Sequence, residues 1–366
     1  MKKMGHPSEK LHNALYFMSG VMSVILILVI VVGVKTKAQN AGSSYAEDYG
    51  TPEASSVLPQ QAGTQTETES EEEVEKWQEG VITYKGEKYR YNNNIRTYLM
   101  MGIDKDGIVE SAQDYISGGQ SDALFLMVVD SKSQKMKVIS INRNTMTTIR
   151  LCDEQGYDLG EIEGQLCLQH SFGDGKRLSC TRSVDAVSKL FGNIPISGYL
   201  SMNMGGIPMM NDAIGGVEVT VLDDISVPDE NIDLKKGELV TLNGTEAYYY
   251  LHGRDVTEFG SATKRLRREE QYIVAYMDKL KQTAGGDSER VVSIYDSIAD
   301  YLVTSVDFTS LITELSGYDF SENQMYTVPG EIVEGEPIDG KTYEEYHVDE
   351  DAMQALIMDV FYERVE

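Results

Sequence analysis

Basic residues are scarce in this chain of 366 residues: 32 Lys and Arg stand against 59 Asp and Glu, for a formal net charge of −27. A body so acidic repels nucleic-acid phosphates, which argues against direct DNA or RNA binding. Cysteine is scarcer still. Cys152, Cys167 and Cys180 are the full set, too few for a disulfide-built scaffold, and none stands in the C-x-x-C pair that would point to zinc. Two arrangements remain for them. All three are buried thiols, or one pair forms a disulfide, for which Cys167 and Cys180, on either side of the Gly-rich HSFGDGKRLS, are the better placed. Internal repeats are also missing.

One stretch lacks charge altogether. Residues 13–34, NALYFMSGVMSVILILVIVVGV, contain no Asp, Glu, Lys or Arg. At helical rise they span ~33 Å, enough to cross the hydrocarbon core of a bilayer. A cleaved signal peptide would have a shorter apolar core, ~7–15 residues. It would also be followed by a small-residue cleavage site, whereas Lys35 and Lys37 come next. The expectation is one transmembrane helix over 13–34. Lys2, Lys3, Lys10 and the amino terminus outweigh Lys35 and Lys37, which places the tail 1–12 in the cytoplasm and everything after the anchor outside the cell.

Large apolar residues are then almost absent from 38–76, which is rich in Ser, Thr, Gln, Glu and Gly. Such a stretch cannot bury enough surface to offset the entropy of ordering it, so 35–76 reads as a disordered acidic linker. Apolar periodicity resumes at Trp77. The expected organisation is a main domain over 77–285 and a C-terminal helical part, 286–366, packed on the same domain.

Within the domain, Tyr98–Ile103, Ala123–Val129 and Met136–Ile141 are apolar runs of strand length, with a hairpin turn at Asp130–Lys135. Gly216–Val221 alternates as a strand does. Helical spacing marks Ser183–Phe191, a long Ala262–Gln282, and two later segments, Phe308–Leu315 and Asp351–Tyr362. Strands mixed with helices predict an α/β sandwich.

Charge gathers where these elements end. Asp104 closes one strand, Asp122 precedes the next, and Arg143 follows the third. Further on come His252, Arg254, Lys264, Arg265, Arg267 and Arg268, with Arg265 and Arg268 on one helix face beside Glu269. Two carboxylates can hold Mg²⁺, which keeps several waters and otherwise prefers phosphate oxygens. Guanidinium groups bind phosphate in bidentate fashion and stay charged. The pattern therefore fits a bound diphosphate. It also fits surface salt bridges, Arg265–Glu269 and Arg268–Glu269, and spacing alone does not separate the two.

An ordered set of segments narrows the choice. YLMMGID, GGQSDALFLMVVDSKSQKMKVISINRNTM, LQHSFGDG, GYLSMNMGGI, GGVEVTV, LNGTEAYYYLHGRD and TKRLRREEQYI follow one another from about Asn92 to Lys281. In this order they resemble the LytR-CpsA-Psr family. That resemblance implies a mixed β-sheet flanked by helices (an α/β/α sandwich), with an apolar cavity for a lipid chain. It implies a membrane-anchored, extracellular phosphotransferase of mostly Gram-positive cells, moving a glycopolymer from a polyprenyl diphosphate carrier to peptidoglycan. Asp104 and Asp122 match the acids associated with Mg²⁺. Arg143, Arg254, Arg265 and Arg268 match the arginines that hold the diphosphate, and with Asp122 form the expected catalytic set. His252 and Glu269 complete the expected substrate-binding set, and Glu270 lies next to it. Asp122 is either a metal ligand or the base that deprotonates the acceptor hydroxyl; Asp255 is a further candidate base.

The chain departs from the family pattern at four places. Gln120 replaces an arginine, Asn144 an aspartate, and His252 the first arginine of R-x-R. Ser261 or Ala262 falls where an aspartate often precedes the long helix. An amide cannot take up a proton as a carboxylate does, and His252 is charged only part of the time near neutral pH. The alternative to a transferase is therefore an envelope protein that binds lipid-linked glycan with weakened catalysis, or a non-enzymatic wall-facing interaction protein.

Overall fold

Adjacent residues of a strand point to opposite faces of its sheet, so a run such as Leu99-Met100-Met101 that is apolar throughout demands cover on both sides. The structure, a computed structural model, supplies it. It describes residues 80–255, 258–284, 287–307, 318, 320, 324–335 and 343–365. The expected anchor 13–34, the linker 35–76 and the expected helix Phe308–Leu315 lie outside the described residues.

In chain order the elements begin with β1 (Val81–Tyr84), β2 (Glu87–Tyr91), β3 (Ile95–Ile103), β4 (Ser121–Asp130), β5 (Lys135–Ile141), β6 (Met146–Cys152) and β7 (Asp158–Gln165). Next are α1 (Arg177–Leu190), β8 (Gly198–Asn203), α2 (Ile207–Ala213), β9 (Val217–Thr220), β10 (Ile225–Val227), β11 (Ile232–Leu234) and β12 (Leu239–Leu242). The chain continues through α3 (Gly244–His252), α4 (Ser261–Ala284), α5 (Ser288–Ile298), β13 (Leu302–Thr304), β14 (Met325–Thr327), β15 (Gly330–Glu334), β16 (Glu344–Val348), α6 (Glu350–Phe361) and β17 (Tyr362–Arg364).

Among the described residues the central sheet has six strands in the order β13-β8-β3-β4-β5-β14. It is mixed: β3–β4 and β4–β5 are antiparallel, β3–β8 and β5–β14 parallel. One face sends Met100, Phe125, Met127 and Val138 against Tyr250 and Leu251 of α3, Tyr272, Ile273 and Tyr276 of α4, and Ile294 of α5. The other sends Leu99, Met101, Leu124, Leu126 and Ile139 against Ala186 and Val187 of α1 and Met353 and Val360 of α6. This is the expected α/β/α arrangement.

The C-terminal part is less helical than expected. Helices α5 and α6 are there, but β13 and β14 form the two outer strands of the central sheet, and β17 joins β2. Three-residue strands are too short to show a period of two in a sequence. The helix expected at Ser183–Phe191 begins earlier, at Arg177, because Asp174 Oδ1 accepts from the backbone N–H groups of Lys176, Leu178 and Ser179 and organises its first turn. No disulfide forms: all three cysteines are free and buried. Cys180 Sγ lies 3.8 Å from His170 Nε2, while the Cys167 backbone N–H is bonded to the carbonyl of Arg143. Among the described residues no helix is long and apolar enough to cross a membrane.

Candidate active site

Three neighbouring strands end together, and this brings the expected residues to one rim of the sheet. In the β3–β4 ladder Ile103 pairs with Ser121 across an irregularity at Gly102, so Asp104 and Asp122 come off the same end. In the β4–β5 ladder Leu124 pairs with Ile141, which puts Arg143 just past the same rim. The two ends of the long loop between β3 and β4 are held tightly together. Asp104 N–H donates to Gln120 O at 3.1 Å, and Gln120 N–H donates back to Asp104 Oδ1 at 2.6 Å. Gly119 has φ +87°, and a Cβ there would meet Ile103 Cγ2 at 2.8 Å and Asp104 Oδ1 at 3.0 Å. Only glycine fits so close to that carboxylate. His170 lies beneath, its Nδ1 3.0 Å from Gly119 O, and burial pushes its pKa down to about 4, so it is a neutral support.

Asp122 is the hub. Arg143 Nη2 lies 2.7 Å from its Oδ1, and Arg265 Nη1 lies 3.3 Å from its Oδ2. Arg265 Nη2 also donates to the Asp122 carbonyl at 2.9 Å. Arg143 additionally donates to Gln120 Oε1, so Gln120 takes part in the cluster as an acceptor. Burial opposes ionisation of Asp122, but Arg143, Arg265, Arg254 and His252 outweigh it and hold the carboxyl below its usual range. Asp104 goes the other way. Burial, then the negative charge of Asp122, lift it to about 7, although the Gln120 N–H, Arg143 and Lys105 favour its charge.

The arginines differ in how far the protein has used them. Arg254 is half-buried and donates to Ser261 Oγ at 3.4 Å. Its pKa falls to about 10 through burial and the repulsion of Arg265 and Arg143. Arg265 is 1% exposed and also lies 3.4 Å from Glu269 Oε1, so that part of the salt-bridge reading is present, though buried and not on the surface. Burial lifts Glu269 to about 7 against the pull of Arg265. Arg268 is bonded elsewhere. It donates from Nε to Tyr250 O at 2.7 Å, from Nη1 to Asp223 Oδ2 at 2.8 Å, and from Nη2 to Gly253 O. Its salt bridge is with Asp223 and not with Glu269, and it closes the C-terminal end of α3. Expected as a phosphate ligand, Arg268 thus sits as a support for the His252–Arg254 segment. His252 is buried, its ring 5.2 Å from that of Tyr248. Glu270 turns away to Ser140 and to Thr327 Oγ1, 2.9 Å off. Asp255 follows Arg254, its carbonyl accepting from Glu258 N–H at 3.1 Å.

Asn144 donates to Glu344 Oε2 at 3.2 Å, and Gly260 N–H donates to Glu344 Oε1 at 2.6 Å. Glu344 and Asp223 were not singled out by the sequence. Neither lies in a motif, and each reaches the site only through tertiary packing.

Chemically, the rim gathers Arg143, Arg254 and Arg265 around one firmly ionised carboxylate, with a second carboxyl whose proton affinity sits near neutrality. Such a set favours an anion. The pair Asp104–Asp122 also fits a hard divalent cation: two buried acids that disfavour each other's charge would be relieved by one, and Mg²⁺ needs only one or two protein carboxylates beside phosphate and water. Among the described residues no group of three or more His, Cys, Asp or Glu side chains could form a closed metal cage.

The family model described as LytR_cpsA_psr family matches residues 57–359. The chain belongs to the LytR-CpsA-Psr family. A family relative, the polyisoprenyl-teichoic acid–peptidoglycan teichoic acid transferase TagU of Oceanobacillus iheyensis, is 28% identical over 250 residues, 67% of this chain and 69% of that protein. TagU of Bacillus cereus is 28% identical over 172 residues, 47% of this chain and 48% of that protein. The matched part thus ranges from about half to about two thirds of these curated relatives. In fold, the chain resembles the structure of TagT bound to LI-WTA, with a TM-score of 0.53 at 19% identity over 73% of this chain and 90% of that one. At family level the names of these relatives support a transferase.

Proposed function

We propose that this LytR-CpsA-Psr protein is a membrane-anchored extracellular phosphotransferase. It moves a glycopolymer from a polyprenyl diphosphate carrier to peptidoglycan. The observation that carries the reading is the convergence of Arg143, Arg254 and Arg265 on Asp122, beside Asp104, at one rim of the sheet. The names of the TagU relatives, and TagT bound to LI-WTA, support the choice of substrates.

Arg143, Arg254 and Arg265 take the diphosphate, and their charge is already in place before the donor arrives. A hydroxyl of the peptidoglycan attacks the phosphorus that bears the glycan, and its proton passes to solvent. The bond from that phosphorus to the polyprenyl phosphate breaks, and the guanidinium groups stabilise the charge that moves onto the leaving phosphate. Asp104 and Asp122 would hold Mg²⁺, which neutralises further phosphate charge when bound. Asp122, kept ionised by two arginines, suits the role of ligand and organiser better than that of base. The uncharged segment 13–34 would keep the domain at the surface where lipid-linked donors reside.

The test is release of polyprenyl phosphate from a polyprenyl diphosphate-linked glycan by the full chain in detergent, with peptidoglycan as acceptor. Release and labelled peptidoglycan are expected, and chelation should abolish both. Retention of intact donor without release would favour the binding alternative; release that ignores a chelator would remove Mg²⁺.

A further inference from the structure

Glu344 opens β16, where it pairs with Glu334 of β15. It lies 200 positions after Asn144 in the chain. Its two carboxylate oxygens serve different elements. Oε2 accepts from Asn144 Nδ2 at 3.2 Å and Oε1 from Gly260 N–H at 2.6 Å. Asn144 directly follows Arg143. Gly260 directly precedes α4, which carries Arg265. One carboxylate therefore ties the side chain next to one site arginine to the backbone ahead of the helix that carries another.

The strand that brings Glu344 is fastened at the same place. Gln165 Nε2 donates to Glu344 O at 2.6 Å, and Tyr346 N–H donates to Asn144 O at 2.9 Å. Thr145 and Tyr346 form a parallel bridge. Asn142 joins in, accepting from Asn144 N–H at 2.9 Å and donating to Thr263 Oγ1 at 3.1 Å. The turn after β5, the start of α4 and the head of β16 thus form one hydrogen-bonded unit. Among the side chains whose hydrogen bonds make up this unit, Asn142, Asn144, Gln165 and Thr263 are neutral and Glu344 carries charge. This charge is set near the N-terminus of α4, where an anion is favoured. It also favours the charged form of Arg254, as Asp122 does.

We propose that Glu344 is a positioning residue of the transfer reaction, acting through its negative charge as well as its hydrogen bonds to align Arg143 and Arg254 for the transition state. The proposal rests on the diphosphate reading of the site. A neutral glutamine could keep the bond from Gly260 N–H, so a scaffold role and a charge role separate at Glu344→Gln.

The experiment compares the full-length wild type with Glu344→Gln and with the double variant Asn144→Asp/Glu344→Gln. The double variant moves the carboxylate to the other end of the 3.2 Å hydrogen bond and reverses its donor and acceptor. Farnesyl diphosphate binding is measured first, then kcat and donor KM of transfer, with melting temperature alongside. Glu344→Gln is expected to lose about tenfold or more in kcat with donor KM within about threefold, the pattern of an interaction felt in the transition state. Its melting temperature should stay near that of the wild type, and the double variant should recover most of the lost kcat. Wild-type turnover in Glu344→Gln overturns the proposal alone. So does a double variant no faster than Glu344→Gln, or a loss of kcat that tracks a loss of folding. A wild type that binds no farnesyl diphosphate and transfers nothing overturns the proposed function, and this inference with it.

Discussion

Arg265 holds Asp122 twice, through the side chain at 3.3 Å and through the carbonyl at 2.9 Å, across 143 positions of sequence. The guanidinium comes from the second turn of α4, so this contact fixes the helix over the rim of the sheet as well as placing charge. At 1% exposure Arg265 cannot rehydrate if its partner is lost.

Stability and ligand affinity should therefore separate among the arginines. Arg265→Ala leaves Asp122 to Arg143 alone and takes the buried ion pair from Glu269, and should cost about 3–5 kcal/mol of folding free energy. Arg268→Ala removes donors from Tyr250 O, Gly253 O and Asp223, and should cost on the order of 2–4 kcal/mol. Among the described residues Arg254→Ala gives up a long hydrogen bond to Ser261 Oγ, 3.4 Å, and should change stability by less than ~1 kcal/mol. Its diphosphate affinity should fall by more than ~1.5 kcal/mol, with only part returned by lysine. Denaturant titration and prenyl diphosphate binding measure the two quantities. A stable Arg265→Ala protein, or normal affinity in Arg254→Ala, would contradict the assigned roles.

Asp122→Ala should lose metal-dependent diphosphate binding, because it removes one of two carboxylates and leaves Arg143 and Arg265 facing each other. Calorimetry with Mg²⁺ and with a chelator reads it. Binding that is unchanged in the variant and still responds to chelator would place the ion elsewhere.

The raised acids define a pH window. Asp104 and Glu269 both sit near 7 in the folded protein, against ordinary values of 3.8 and 4.5. Between about 4 and 7 the folded state keeps protons that the unfolded state has released, so stability should fall as pH rises through that window and level off above it. Asp122, held low, contributes stability that disappears as pH drops below about 4. Urea midpoints from pH 4.5 to 8 test the slope. Asp104→Asn should flatten it, and Mg²⁺ binding near pH 7 should release a proton, visible as a buffer-dependent heat. A wild-type profile that rises through the window would refute the reading of both groups.

Protease added to intact, wall-stripped cells should cut within 38–76 and release the domain, since that stretch has little apolar surface to bury. Protection until the membrane is permeabilised would reverse the proposed orientation.

Much of the rim was legible in the sequence. β3, β4 and β5 are long apolar runs, and Asp104, Asp122 and Arg143 stand where those runs stop. The partners of the arginines were legible only in part: Arg265–Glu269 forms, whereas Arg268 pairs with Asp223. Arg265 and Arg268 share a spacing that suits both a surface ion pair and a buried one, and only packing against β4 and α3 decides between them. Asp223 and Glu344 lie in stretches with no periodicity or motif of their own. Asn144 read as a lost carboxylate because its neighbour comes from a strand far along the chain. Asn243, which precedes α3, acts locally. It caps α3 through a reciprocal pair of bonds with Glu246.

The outer positions of the central sheet have a consequence for biogenesis. β13 and β14 are added after every inner strand has been made, and Glu344 emerges later still. A nascent chain that has reached only α5 carries β8 and β5 as open edges, ready to pair with a neighbour. The chain from Leu302 onward thus sets the moment at which an emerging domain stops being adhesive and its rim becomes complete. A stop codon after α5 would be expected to yield material that associates through those edges instead of a smaller working enzyme.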